Sequence, residues 1–170
     1  DPTTWRPSTS FIDIADEIVA IAPLRGLLVV FGKSTIWRIR GSVPPGNGPS
    51  NMIVDELAPN MQGTTDAHSI TYYANALIFA NDQGVWQTDG TSFKNLTEKF
   101  GVQQYWRNLV EQLNAGQSKR AVAWQHRGYY FVSLSYTSGV TSSYLDTLVF
   151  DLDRGCAYRM SNMNFLAVTN

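Results

Sequence analysis

The sequence predicts an all-β fold with one helical insertion, because a strand-turn-strand pattern recurs three times while helical spacing occurs once. The clearest copy lies in residues 69–90. There the apolar run Leu77 to Ala80 is followed by the turn sequence Asn81 to Gly84 and then by a second extended run. Residues 18–41 and 121–155 have the same layout, so we expect three antiparallel β-sheets.

The first repeat covers about residues 11–58. Leu27 to Phe31 is a continuous apolar run, which predicts an inner strand covered on both faces. Ile36 to Arg40 alternates between apolar and basic residues, as a half-exposed strand does. Residues 41–50 are dense in proline and glycine and predict a surface loop, and Met52 to Leu57 predicts a short outer strand.

The second and third repeats cover about residues 69–97 and 120–162. Thr91 to Leu96 is predicted to form the outer strand of the second repeat. In the third repeat, Tyr129 to Val132 is predicted to be the inner strand. The run of serine, threonine and glycine from Thr137 to Ser143 indicates a long hairpin loop.

The helical insertion is predicted over about residues 102–114, where apolar residues recur at spacings of three and four. An apolar helix face must pack either on the sheets of its own chain or on a neighbouring subunit. Trp5, Tyr105 and Trp106 lie outside the predicted strands, and Arg107 beside them suits the rim of an interface. We therefore predict these four as partner-binding residues.

A period of about 50 residues with about four short strands per repeat is typical of β-propeller blades. We expect residues 1–170 to form a single β-propeller-like domain. Three consecutive β-meanders in one sandwich or barrel are the alternative. Known propellers close with about four to eight blades, so three blades would leave apolar faces and strand edges in water. The chain is therefore expected to belong to a larger propeller or to be completed by oligomerisation.

Charge and hydropathy narrow the classes of partner. The net charge of -1 favours neither nucleic acid nor an anionic membrane, so direct contact with nucleic acid is not expected. No apolar run approaches the roughly 18–20 residues that cross a bilayer, so no membrane partner is expected either. Cys156 is the only cysteine and cannot form an intramolecular disulfide.

Signatures of catalysis are missing from the sequence, which contains no nucleophile elbow, Walker loop, zinc-helix motif or dinucleotide-binding glycine pattern. His68 and His126 are interpreted as turn residues. Asp82, Asp89 and Asp151 lie at predicted turns, where aspartate bonds nearby backbone amides; a calcium loop at Asn81 and Asp82 is a weaker alternative. We predict a non-enzymatic protein with no catalytic residue, no metal site, no cofactor and no small-molecule substrate.

Several segments resemble β-propeller-like structural proteins of tailed bacteriophages, which are found at the head–tail junction or in the tail. The resemblance is carried by LLVVFGKSTIWRIRG, SITYYANALIFANDQGVWQTDG, RGYYFVSL and LDTLVFDLDRG. It implies a virion component that is assembled in the host cytoplasm and acts in assembly at the head–tail connector or tail. The implied partners are other virion proteins and copies of the chain itself.

A carbohydrate-binding, lectin-like propeller module for host recognition is the alternative function, because five tryptophans and eight tyrosines could line a sugar-binding surface. Such a module predicts one aromatic and polar pocket per repeat. Trp37, Trp86 and Trp124 lie on predicted strands, however, and we interpret them as core residues. The polar residues at the equivalent turns also differ in length and chemistry, which favours the structural role.

Overall fold

The computed structural model describes residues 12–41, 51–57, 63–64, 66–114, 118–138 and 141–161. Within these ranges, twelve strands form three antiparallel four-stranded sheets, and each sheet is built from strands consecutive in the chain. The prediction of a mostly β chain with three antiparallel sheets is therefore confirmed. No helix in the described part of the chain has the length and apolar character needed to cross a bilayer.

The first sheet comprises β1 (Ile18–Leu24), β2 (Leu27–Gly32), β3 (Ile36–Arg40) and β4 (Ile53–Glu56). All three strands predicted in this region are present. The last four residues of β2 are buried, as expected of a strand covered on both faces. The register pairs Val30 with Ile21 on one side and with a β3 residue on the other.

The second sheet comprises β5 (Thr71–Tyr73), β6 (Ala76–Asn81), β7 (Gly84–Thr88) and β8 (Phe93–Asn95). The outer strand predicted at Thr91 to Leu96 is confirmed by β8. Every residue of β6 is buried, so β6 lies at the centre of the described fold.

The third sheet comprises β9 (Ser118–His126), β10 (Tyr129–Ser138), β11 (Thr141–Asp151) and β12 (Cys156–Met160). The inner strand predicted at Tyr129 to Val132 forms the first part of β10. Two strands of the third sheet are therefore much longer than their counterparts in the other two sheets.

The long hairpin loop predicted from Thr137 to Ser143 is wrong. Strand pairing extends into this segment from both sides, with Thr137 opposite Ser142 and Ser138 opposite Thr141, and only residues 139 and 140 lie outside the described residues. Threonine is β-branched and fits extended backbone, so a polar run rich in serine and threonine does not by itself end a strand.

Two helices follow the second sheet, α1 (Leu96–Lys99) and α2 (Gln103–Asn114). The helical insertion predicted at 102–114 is confirmed by α2, whereas α1 was not predicted as a separate helix. The side chain of Asn95 caps α1 by accepting a hydrogen bond of 3.0 Å from the backbone amide of Glu98. A four-residue helix is too short to show a helical period, so the cap was its only sequence signal.

The three sheets stack face to face around two apolar clusters. Leu77 and Phe79 of β6 belong to the cluster shared with the first sheet, where the rings of Phe31 and Phe79 lie 5.0 Å apart. Ile78 and Ala80 belong to the cluster shared with the third sheet and α2. Because neighbouring side chains of a strand point to opposite faces, β6 contributes to both clusters.

Candidate interaction surfaces

Each sheet begins with the same two-residue turn. Arg25-Gly26, Ala74-Asn75 and Arg127-Gly128 join the first and second strands of the three sheets, and both residues of each turn have positive φ. This combination is the signature of a type I′ turn, whose twist matches that of the strands it joins. The second strand of each sheet therefore starts at the same distance from its turn.

This common start gives each sheet a front face and a back face. Along β6, the second and fourth residues pack on the first sheet, and the third and fifth pack on the third sheet. We call these directions front and back, respectively. The front residues of β10 are Tyr130 and Val132, and they pack on the second sheet. The back residues of β2 are Val29 and Phe31, and they also pack on the second sheet. Two faces belong to neither interface: the front of the first sheet and the back of the third.

The front of the first sheet is largely apolar, with Glu56 opposite Trp37 as a charged member, and we call it the first outer face. The strand register places six apolar residues on it: Ile21, Leu28, Val30, Trp37, Ile39 and Val54. Ile21 and Leu28 are 58% and 40% exposed. None of the six belongs to either core cluster. Burial of such a face against another apolar surface would be favourable.

The back of the third sheet carries both apolar and polar residues, the latter including Ser133, Thr147 and Asp151, and we call it the third outer face. Its members include Val122, Trp124, Phe131, Val149, Tyr158 and Met160. The rings of Trp124 and Phe131 stack with their centroids 4.8 Å apart and their planes within 2° of parallel. Tyr158 is 48% exposed. Both ends of the stack of sheets thus carry apolar side chains, of which Val30, Val122 and Val149 are buried, at 0%, 6% and 4% exposure.

The three strand tryptophans were interpreted as core residues, and the structure separates them. Trp86 packs against the cluster between the first two sheets, as expected. Trp37 and Trp124 are half-buried members of the two outer faces and belong to neither cluster. Large flat side chains therefore lie on the outer faces as well as between the sheets.

The apolar side of α2 packs on the chain's own sheets. Leu109, Val110 and Leu113 are buried in the cluster between the second and third sheets. Trp106 is only 1% exposed, and its Nε1 donates a hydrogen bond of 3.1 Å to the backbone oxygen of Asn81. Trp106 therefore belongs to the core of this chain, and its ring is not available at a partner surface.

The other predicted partner-binding residues have different positions. The hydroxyl of Tyr105 donates to Asp146, which also accepts a hydrogen bond of 2.7 Å from Nε of Arg159. Burial, together with the hydrogen bond to Asp146, raises the pKa of Tyr105 to about 12. These contacts attach α2 to β11 and β12. Arg107 is exposed, and Trp5 lies outside the described residues. A partner role for Tyr105 and Arg107 stays a prediction.

The side chain of Asn81 is buried and bonds to several neighbouring groups. The sequence analysis did not predict its burial. Its Oδ1 accepts hydrogen bonds from the amides of Gln83 and Gly84 and from Nε1 of Trp86, at 2.9, 3.1 and 3.0 Å. Its Nδ2 donates to the backbone oxygen of Gly63 at 3.2 Å. The Asn81 to Gly84 segment was correctly predicted as a turn. Its sequence carried no sign that the asparagine side chain would be enclosed.

His68 and Asp89, two of the polar residues considered in the sequence analysis, lie at turns. His68 is exposed, and its Nδ1 lies 2.7 Å from the carboxylate of Asp66. Asp89 accepts hydrogen bonds from the amides of Ser92 and Thr91, and these bonds hold its pKa well below the usual range. In the described ranges, no group of three or more histidine, cysteine or acidic side chains is arranged to hold a metal ion.

A cleft of about 340 Å³ lies beside the first turns of the first and second sheets. Arg25, Tyr72 and Asn75 are among its lining residues. Tyr72 is 51% exposed, and its hydroxyl donates a hydrogen bond of 2.9 Å to the backbone oxygen of Pro23. The cleft therefore combines an aromatic face with polar groups.

No protein-family model matches the chain, and no curated protein sequence is significantly similar to it.

Proposed function

We propose that the chain is a non-enzymatic structural protein that acts by assembly, and that its three sheets are blades of a larger β-propeller. The apolar outer faces carry this proposal. They occupy the same front and back positions that are covered between the sheets of this chain. Ile21, Leu28 and Tyr158 stay 58%, 40% and 48% exposed on these faces. Apolar side chains are stabilised when another layer covers them, so further blades are the natural complement.

The setting of this assembly is proposed from the sequence resemblance alone. The proposed setting is the virion of a tailed bacteriophage, at the head–tail connector or in the tail, in contact with other virion proteins. The chemistry of the described residues is compatible with such a role, since their polar side chains serve turns, caps and ion pairs.

Protein mass spectrometry of particles purified from cultures that carry the gene tests this setting. We expect the chain to remain with the particles through a density gradient at a fixed ratio to the major capsid protein. Gold-labelled antibody should then mark the neck or tail in electron micrographs. Particles that are complete but lack the chain would exclude the virion role.

A carbohydrate-binding module is the second candidate, and the cleft that exposes Tyr72 is the observation that favours it. Sugar rings stack on exposed aromatic faces and bond to nearby polar groups. A glycan array tests this candidate: binding at micromolar concentration that is lost in Tyr72→Ala would support it. Equal signals from the wild type and the variant would exclude this cleft as a sugar site.

A further inference from the structure

The cleft that exposes Tyr72 continues into a second, smaller cleft of about 170 Å³. Arg25, Ala74 and Asn75 line both, so the two clefts form one groove at the boundary between the first and second sheets. We call this joined space the turn groove, because it lies beside the first turns of these two sheets. It has room for a ligand larger than a single small ion.

Two side-chain cations line the turn groove, and neither is neutralised by an ion pair. Arg25 and Lys94 are both exposed, and neither takes part in an ion pair of the described residues. A guanidinium presents a planar fork of donors that matches a carboxylate, and an ammonium adds a compact positive charge. The groove is therefore suited to a ligand that carries a carboxylate.

The other polar groups of the groove favour a hydroxylated ligand over a bare anion. Asp89 accepts its hydrogen bonds from Thr91 and Ser92 on Oδ1, so its Oδ2 can accept one from a ligand hydroxyl. The side chains of Asn75 and Gln87 also line the smaller cleft and offer both donors and acceptors. The charge of Asp89 repels a bare anion, whereas a hydroxyl group binds to it.

Tyr72 supplies the aromatic face of the groove. Its hydroxyl is held by the backbone oxygen of Pro23, which fixes the ring while about half of the side chain stays exposed. The strand register aligns Tyr72 with Pro23 in the first sheet and with Gln125 in the third, and neither of these is aromatic. Among the three described sheets, this aromatic position is therefore found only in the second, and we expect one such groove per chain.

We propose that the turn groove binds a saccharide that carries a carboxylate group, such as a uronic acid. Arg25 and Lys94 bind the carboxylate, and Asp89 accepts a hydroxyl of the sugar. The ring of Tyr72 stacks on a sugar face. The inference rests on the carbohydrate-binding candidate above and adds the charge of its ligand.

Isothermal titration calorimetry of the whole chain with matched ligands is the first test. Trigalacturonate is compared with its methyl ester, and sialyllactose with its methyl ester, since each ester keeps the sugar rings and lacks the charge. We expect the acidic member of at least one pair to bind with a Kd below about 1 mM and about tenfold more tightly than its ester. Sodium sulfate at the same ionic strength should not displace it.

Substitutions of the two cations, each with a matched control, locate the site. Arg25→Gln is compared with Arg127→Gln, which changes the exposed arginine at the same turn position of the third sheet. Lys94→Gln is compared with Lys99→Gln, another exposed lysine nearby in the chain. We expect each groove variant to weaken binding of the acidic ligand about fivefold and to leave binding of its ester unchanged. The two controls should bind as the wild type does.

Thermal unfolding verifies that each variant is folded, and the comparison of acid with ester in the wild type does not depend on any variant. Equal affinity for acid and ester would overturn the inference, and loss of both in Tyr72→Ala would still support a neutral sugar site. Absence of binding by every ligand would overturn the inference and its carbohydrate-binding basis together. Displacement by sulfate, or groove variants that bind the acid as the wild type does, would also overturn the inference. The assembly role is judged separately, by whether the chain is present in purified particles.

Discussion

Nε1 of Trp106 donates a hydrogen bond of 3.1 Å to the backbone oxygen of Asn81. The contact joins α2 to the end of β6, the fully buried strand of the second sheet. Both residues are almost completely enclosed, at 1% and 0% exposure. A hydrogen bond between buried groups is strengthened by its surroundings and is costly to break. The helix is therefore an integral part of the core between the second and third sheets.

Asn81→Ala is expected to lower the free energy of unfolding by about 2–4 kcal/mol. The substitution leaves the buried amide of Gly84 and the indole N–H of Trp86 without their acceptor. Urea denaturation measures the change. Ser34→Ala, in the exposed turn between β2 and β3, is the control and should stay within about 0.5 kcal/mol of the wild type. A similarly small effect of Asn81→Ala would contradict the role of this side chain.

Trp106→Ala is expected to cost about 3–5 kcal/mol, because it removes a large buried ring and leaves a cavity beneath α2. Arg107→Ala, one residue along the same helix, removes an exposed side chain and should change stability by less than about 0.5 kcal/mol. Thermal unfolding followed by circular dichroism measures both. Equal effects of the two substitutions would show that the ring of Trp106 is not enclosed as described.

Gly26→Ala and Gly128→Ala form a matched pair at equivalent turn positions, where φ is +78° and +83°. In both variants the alanine must adopt a left-handed backbone conformation, which lowers the free energy of unfolding by about 1–2 kcal/mol. A Cβ at Gly26 meets open space, whereas a Cβ at Gly128 overlaps the carboxylate of Asp153, which also accepts the hydroxyl of Tyr73. The exposed carboxylate can shift, at the expense of its hydrogen bond with Tyr73, so we expect Gly128→Ala to cost about 1 kcal/mol more than Gly26→Ala in urea denaturation. Equal costs would place Asp153 away from this turn.

Asp89 is expected to make stability depend on acid pH. Hydrogen bonds from Ser92 and Thr91 lower its pKa in the folded state below the ordinary value of 3.8. The folded chain therefore binds a proton at this site less readily than the unfolded chain does. Its contribution is present above about pH 4 and is lost as the pH falls towards the folded pKa. The urea midpoint of the wild type should fall more between about pH 6 and pH 3 than that of Asp89→Asn. Parallel pH profiles would rule out this contribution.

The local elements were largely predictable because hydrophobic period and turn chemistry act over a few residues. The apolar run at Leu27 to Phe31 and the helical spacing of α2 both depend on such neighbours, and both predictions were confirmed. The hairpin around Thr137 was misjudged because polarity was taken as a sign of a loop, although paired strands tolerate serine and threonine. The α1 helix is shorter than any period that could reveal it.

The sequence does not predict which side chains are buried in the chain's own core, as the positions of Trp106, Tyr105 and Asn81 show. An aromatic residue on an apolar helix face packs equally well inside its own chain or on a partner, and the sequence cannot distinguish these positions. Contacts far apart in the chain decide between them: Trp106 reaches Asn81, and Tyr105 reaches Asp146. The same long-range contacts enclose the side chain of Asn81, which looked like an ordinary turn residue.

The sequence by itself determined the strands, their turns and the number of sheets, since alternation and positive-φ turns are properties of short segments. Only the tertiary structure decided which face of each sheet is covered. Each strand of the stack has apolar residues on both faces, so composition alone cannot say which face meets a neighbour. That choice is made by the stacking order of the sheets, which covers both faces of the second sheet and leaves one apolar face outermost on the first and on the third.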